Sequence, residues 1–276
     1  MTLAARNTVL VSGVLVSFLM LVAWAVAGWA LVLGPLADAQ FAVADIHRWL
    51  GMRLTVTRTG VMYSMGATGT LVFVAVLTLA VSSYLFRRVS SAELYFVMLF
   101  LMFLSLELVR IARPLAEALD APEFVGVQLT RVVLFGRLMG ALSLFVAGIY
   151  SAGADYPRTG SVTLLLAAIA SLIVYLVPVD SHRMNATFLH VTGGGETIDL
   201  MLAFLAVGTI VNCLIGWSRG FRERGGAIAI SMIALVVGKE LVLHVPVMVP
   251  LAFGVGLVTA GVVAYVLVNR ANYLWY

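Results

Sequence analysis

Apolar residues run along this chain in long stretches separated by short polar connections. The stretches cover 8–33, 62–85, 92–112, 129–150, 161–178, 198–217, 226–245 and 248–269. Most approach the ~20 residues that an α-helix needs to cross a hydrocarbon core of ~30 Å. The pattern predicts an all-α polytopic membrane helix bundle with about eight transmembrane helices, one N-terminal anchor plus a seven-helix bundle. Lys239 and Glu240 interrupt the seventh stretch, and only His244 to Pro250 separates it from the eighth. Pro246 and Pro250 cannot continue a helix, so a tight hairpin is expected there.

The polar breaks divide the chain into residues 1–37, a transmembrane signal anchor; 38–61, a short external amphipathic segment; and 62–276, a seven-helix membrane domain. Ala37-Asp38-Ala39 has the small-x-small form of a signal cleavage site. The apolar stretch before it is far longer than the ~7–15 residues of a signal-peptide core, which favours an uncleaved anchor. In the external segment Val43, Ile46 and Leu50 fall at helical spacing, with Asp45, His47 and Arg48 on other faces and Trp49 as an interfacial aromatic. A helix lying on the outer membrane surface is expected, followed by an extended run, Leu54 to Thr57, rich in β-branched residues.

Local signals agree with these elements. Ser90 and Glu93 have capping-box spacing at the start of the third span. Gly193-Gly194-Gly195 forms a turn ahead of Glu196 and Asp199, acids suited to a helix N-terminus. Gly136 with Gly140, and Gly256 with Ala260, have the small-xxx-small spacing that lets helices approach closely in lipid.

Composition sharpens the picture. Hydrophobic residues make up 62% of the chain and charged residues 11%, with a mean hydropathy of +1.08. A soluble domain carries about 25% charged residues, so lipid must cover much of this surface. The formal charge of +4 does not point to nucleic acid, because the arginines cluster at helix ends. Arg6, Arg87, Arg88, Arg219, Arg222, Arg224 and Arg270 all fall on one side of an eight-span chain. The positive-inside rule makes that side cytoplasmic, with both termini there, as in a bacterial cytoplasmic (inner) membrane protein. Tyr273, Trp275 and Tyr276 read as an interfacial belt anchor. The single cysteine, Cys213, sits in an apolar run and reads as a small core filler.

The chemistry-bearing residues concentrate at the other side. The third span ends in Glu107, Arg110 and Arg113 before Pro114; the fourth begins with Gln128, Arg131 and Arg137; the fifth leads to Asp180, His182 and Arg183. The sixth begins near Glu196 and Asp199, and the seventh ends with Lys239, Glu240 and His244. Charges at membrane depth are costly and mark function by default. The expectation is an outward-facing polar cavity with Glu107, Arg110, Arg137, His182, Lys239 and Glu240 as ligand-binding residues. Glu107 and Arg110 share a helix face, and Glu107 and Glu240 are the natural partners for Arg137 and Lys239, the deepest cations. An excess of cations suits a small anionic or zwitterionic ligand or a lipid headgroup. A plainer reading stands beside it: Arg110, Arg113, Arg131 and Arg183 snorkel to headgroups, and the deeper charges form static pairs.

Lys239 is the only lysine, which raises a retinal Schiff base as in microbial rhodopsins. Another span follows it, however, and Leu235 stands where those proteins place an aspartate. No metalloprotease, nucleophile-elbow or phosphate-loop motif is present. Neither a cofactor nor a metal nor a catalytic residue is implied.

The order of an anchor, a short external segment and seven closely spaced helices resembles the membrane domain of bacterial seven-helix sensory receptors, which carry intracellular signalling modules. The resemblance covers residues 62–269 and includes the phrase Ser91-Ala92-Glu93-Leu94-Tyr95-Phe96 leading to Glu107 and Arg110. It carries no residue roles across. It implies a sensory, receptor-like function, and since the chain stops at Tyr276 it implies a separate cytoplasmic partner at the Arg219–Arg224 loop. Three other functions remain open on the sequence: a subunit of a membrane complex, a transporter, and a lipid-modifying intramembrane enzyme.

Overall fold

The structure, a computed structural model, describes residues 2–32, 46–49, 52–55, 58–89, 91–154, 158–184, 189–219, 225–244 and 247–273. Ala37-Asp38-Ala39, Val43, Asp45, Leu50, Ser90, Arg222, Arg224, Trp275 and Tyr276 lie outside them, as do the side chains of Ile46, His47, Arg48, Trp49, His182, Arg183 and Tyr273. The chain is an all-α membrane helix bundle. The helices are α1 (Leu3–Val32), α2 (Arg58–Leu85), α3 (Ala92–Leu104), α4 (Ala112–Ala118), α5 (Glu123–Ser151), α6 (Thr159–Leu176), α7 (Gly195–Ser218), α8 (Gly225–His244) and α9 (Met248–Tyr273). A 3-10 segment, Ser105–Ile111, joins α3 to α4. Eight of the resulting rods are long and apolar enough to cross a membrane, the third being Ala92–Glu117 as a whole.

That third span is the hub. Of its most apolar window 78% is buried, against 17% in α1 and in α6, which lie at the periphery. It packs against α5, α2 and α1. Other contacts run from α2 to α9, α9 to α8, α8 to α7 and α7 to α5, with α6 held against α5 and α1 against α2. Lipid tails are as apolar as these side chains, so close packing rather than water exclusion holds such rods together. Glycines mark the tightest approaches. A Cβ on Gly136 would lie 2.8 Å from Leu106 Cβ, and one on Gly140 3.3 Å from Phe100, so this pair seats α5 on α3 as its spacing predicts. Gly256 has nothing within 4 Å; the α8–α9 contact instead uses Gly238, Gly254 and Gly261.

Three local expectations change. The third span does not stop at Pro114: helix continues to Ala118. Proline has no N–H for the carbonyl four residues back and its ring crowds that carbonyl. The chain accommodates this by tightening into the 3-10 turn just before α4. The α3 cap is Ser91, not Ser90, and its hydroxyl accepts from Leu94 N at 3.3 Å. Finally, Ile46–Trp49 (β1) and Met52–Thr55 (β2) form an antiparallel hairpin with Ile46 opposite Thr55 and Trp49 opposite Met52. A surface helix there would have carried Gly51 in its interior, a cost of about 1 kcal/mol.

A second hairpin, β3 (Val179–Met184) with β4 (His190–Thr192), lies between α6 and α7. Gly193 N donates to Pro178 O at 2.7 Å, and Gly194 turns the chain into α7 at φ +72°, a conformation glycine adopts without steric cost. Chain direction puts both hairpins, the α4–α5 turn and the α8–α9 turn at one end of the bundle, called here the hairpin end.

Candidate functional site

The polar side chains at the hairpin end come from five elements. The 3-10 turn supplies Glu107 and Arg110, 2% and 4% exposed. A 3-10 stretch inside a long helix often marks a functional or strained position. Helix α5 supplies Arg137, about four turns from its start. Its Nε donates to Glu107 Oε1 at 2.6 Å and its Nη2 to Glu107 Oε2 at 3.0 Å. This two-pronged pair matches guanidinium to carboxylate geometry and is the strong form of the interaction. Arg110 does not pair directly with Glu107, whose two oxygens are engaged by Arg137; its Nη2 donates to Thr68 Oγ1 on α2. Thr68 in turn donates to Ser64 O at 2.8 Å. Arg110 is therefore turned into the bundle and does not snorkel to the headgroups.

Helix α8 supplies Lys239, Glu240 and His244. Lys239 Nζ binds Glu240 Oε1, although the two are neighbours in sequence and start about 100° apart around the helix. The other carboxylate oxygen of Glu240 lies 3.3 Å from His244 Nε2, one turn further on. Glu240 thus bridges a lysine and a histidine, with Lys239 and His244 each 6% exposed. Asp199, in the second turn of α7, completes the set: it and Glu240 lie within electrostatic reach of Arg137, and His244 within reach of Glu107. The cluster is one connected electrostatic network. Among the described residues no group of three His, Cys, Asp or Glu is placed to hold a metal.

A cleft of about 260 Å³ opens between α7 and α8 beside this network. Asp199, Glu240 and His244 line its polar end, and Leu202, Ala206 and Val236 belong to its apolar walls.

Of the six residues expected to bind ligand, five converge: Glu107, Arg110, Arg137, Lys239 and Glu240. His182 belongs to β3, and its side chain lies outside the described residues. The partners foreseen for the two deep cations are the observed ones. Thr68, Asp199 and His244 are additional members. Position at a helix end on the same side pointed to Asp199 and His244; nothing in the sequence distinguished Thr68 from the other hydroxyls of α2. No protein-family model, curated protein or solved structure matches this chain. The resemblance to seven-helix receptors therefore rests on the sequence pattern alone.

The opposite end is not purely apolar either. Glu93 is 2% exposed and accepts from Tyr265 Oη at 3.2 Å. Arg6, 7% exposed, donates to the carbonyls of Val89 and, at 3.1 Å, Phe86. It thereby ties the start of α1 to backbone acceptors that the end of α2 leaves over.

Proposed function

We propose that this chain is a receptor-like membrane protein that binds a small charged ligand, zwitterionic or anionic, at the hairpin end. One observation carries the reading: helices far apart in sequence bring their few charges to a single network beside an open cleft. A bundle that needed only to fold would gain stability more cheaply from apolar packing, since buried ion pairs rarely beat it. The arginines support an orientation. Arg6, Arg87, Arg88, Arg219 and Arg270 stand at the end away from the hairpins, which favours a cytoplasmic location for that end and for both termini in a bacterial inner membrane. A signal would leave through a separate cytoplasmic partner at the Arg219–Arg224 loop.

A second reading, a subunit within a membrane complex, draws on the same pairs. Arg110, Arg137 and Lys239 each have a partner within the chain, as static scaffolding requires. Thermal unfolding of the detergent-purified protein against a panel of small anions and zwitterions separates the two. A ligand at ~100 times its dissociation constant adds about 2.7 kcal/mol to stability. The receptor reading expects such a shift, lost in Arg137→Ala and Lys239→Ala. A broad panel without any shift favours the subunit.

A further inference from the structure

The cleft between α7 and α8 differs from an aqueous cavity in two respects. It opens sideways, between helices whose neighbouring side chains face the lipid: Phe204 is 73% exposed, Val207 58% and Val237 38%. It is also graded along its length. Asp199 and His244 stand at its hairpin end, and its α7 wall continues through Ala203 and Ala206 to Ile210. From Asp199 to Ile210 is about 16 Å at ~1.5 Å per residue, close to half of a ~30 Å hydrocarbon core. The cleft is therefore one leaflet deep, with its polar end at headgroup level. At about 260 Å³ it falls just below the ~300–1,000 Å³ of pockets that enclose a whole small molecule. That suits a single chain rather than a complete two-chain lipid.

Charge decides the head. The cations of the network face inward and are engaged: Arg137 by both oxygens of Glu107, Arg110 by Thr68, Lys239 by Glu240. The groups lining the cleft are the carboxylates of Asp199 and Glu240, with His244. The Asp199 carboxylate makes no hydrogen bond or ion pair among the described residues. Glu240 is already held through both oxygens by Lys239 and His244, so an anionic head would meet the Asp199 carboxylate there, whereas an ammonium group would find in it an acceptor.

We propose that this cleft seats one acyl chain of a bilayer lipid whose head carries a primary ammonium, an ethanolamine-type lipid, with the ammonium donating to Asp199. The proposal rests on the reading that the hairpin end binds a ligand, and it names the ligand's class and its source, the surrounding leaflet. A primary ammonium is required because it has N–H donors for carboxylates; a trimethylammonium has the charge but none of the donors.

The test is lipid selectivity of the full chain in nanodiscs of mixed phosphatidylethanolamine and phosphatidylcholine, read as co-isolated lipid by native mass spectrometry. The wild type is expected to retain the ethanolamine lipid about tenfold over its choline counterpart, roughly the weight of one hydrogen bond to a charged group. Asp199→Asn should lower that preference, and Ala203→Phe, which fills the cleft, should remove the bound lipid. Equal retention of the two lipids by the wild type overturns the proposal. So does unchanged selectivity in Asp199→Asn, a lipid-facing change that decides the matter even if Ala203→Phe fails to fold. A soluble ligand whose thermal shift depends on Arg137 and is untouched by Ala203→Phe would leave the receptor reading standing and overturn this one.

Discussion

At the scale of single residues, Glu107 and Arg137 define what the bundle can tolerate. Glu107 is buried and Arg137 largely so, and each supplies the other's counter-charge through two hydrogen bonds. Breaking a buried pair by removing one member costs about 3–5 kcal/mol, because the other charge is stranded; replacing both by apolar groups of similar size can be neutral. Glu107→Leu and Arg137→Met should each destabilise strongly, and the double variant should be more stable than either. Chemical or thermal unfolding of the four proteins measures this. Losses that simply add would mean that the two side chains are not energetically coupled, despite their geometry. The sequence named this pair because both charges lie in apolar stretches and few acids were available to neutralise Arg137. It did not name Thr68, since one hydroxyl among Ser64, Thr68 and Thr70 carries no signal until α2 is seen against the 3-10 turn.

At the scale of elements, the α8–α9 hairpin shows how the bundle packs without help from water. A Cβ on Gly238 would lie 2.8 Å from Gly254 O, 2.9 Å from Val258 N and 2.7 Å from Val258 Cγ2. Two of those atoms are backbone and cannot step aside without moving a helix. Gly238→Ala should therefore lower the thermal midpoint by the equivalent of about 1–3 kcal/mol, the usual range for overpacking. Gly256→Ala, at a position with open space around it, should be neutral or slightly stabilising, since alanine has the better helix propensity. Equal effects would show that the close approach of α8 and α9 is not what limits stability. Within α9, Gly254 meets the partner helix and Gly256, two residues on, does not. Spacing alone offered Gly256 and Ala260 as a motif, but it gives no rotational phase, and in lipid every face of a helix is apolar. The same limit explains the missed hairpins. Hydropathy windows locate rods by length, whereas β1–β2 and β3–β4 depend on register between short segments.

At the scale of the whole molecule, eight crossings put the start of α1 and the end of α9 on one side and both hairpins on the other, and the arginines are the ground on which a direction is proposed. The span count was legible because ~20-residue apolar runs have few alternatives. The proposed direction rests on charge bias and can be checked with the molecule's own chemistry. Cys213 is 1% exposed, so the wild type should give little background with a membrane-impermeant maleimide. Asp120, at the hairpin end, and Ser218, at the opposite end of α7, are both exposed. In intact bacterial cells Asp120→Cys should be labelled directly, and Ser218→Cys only after the membrane is permeabilised. The reverse pattern would invert the molecule. The charged network and its cleft would then face the cytoplasm, and a ligand drawn from the outer leaflet would have to give way to one from the inner.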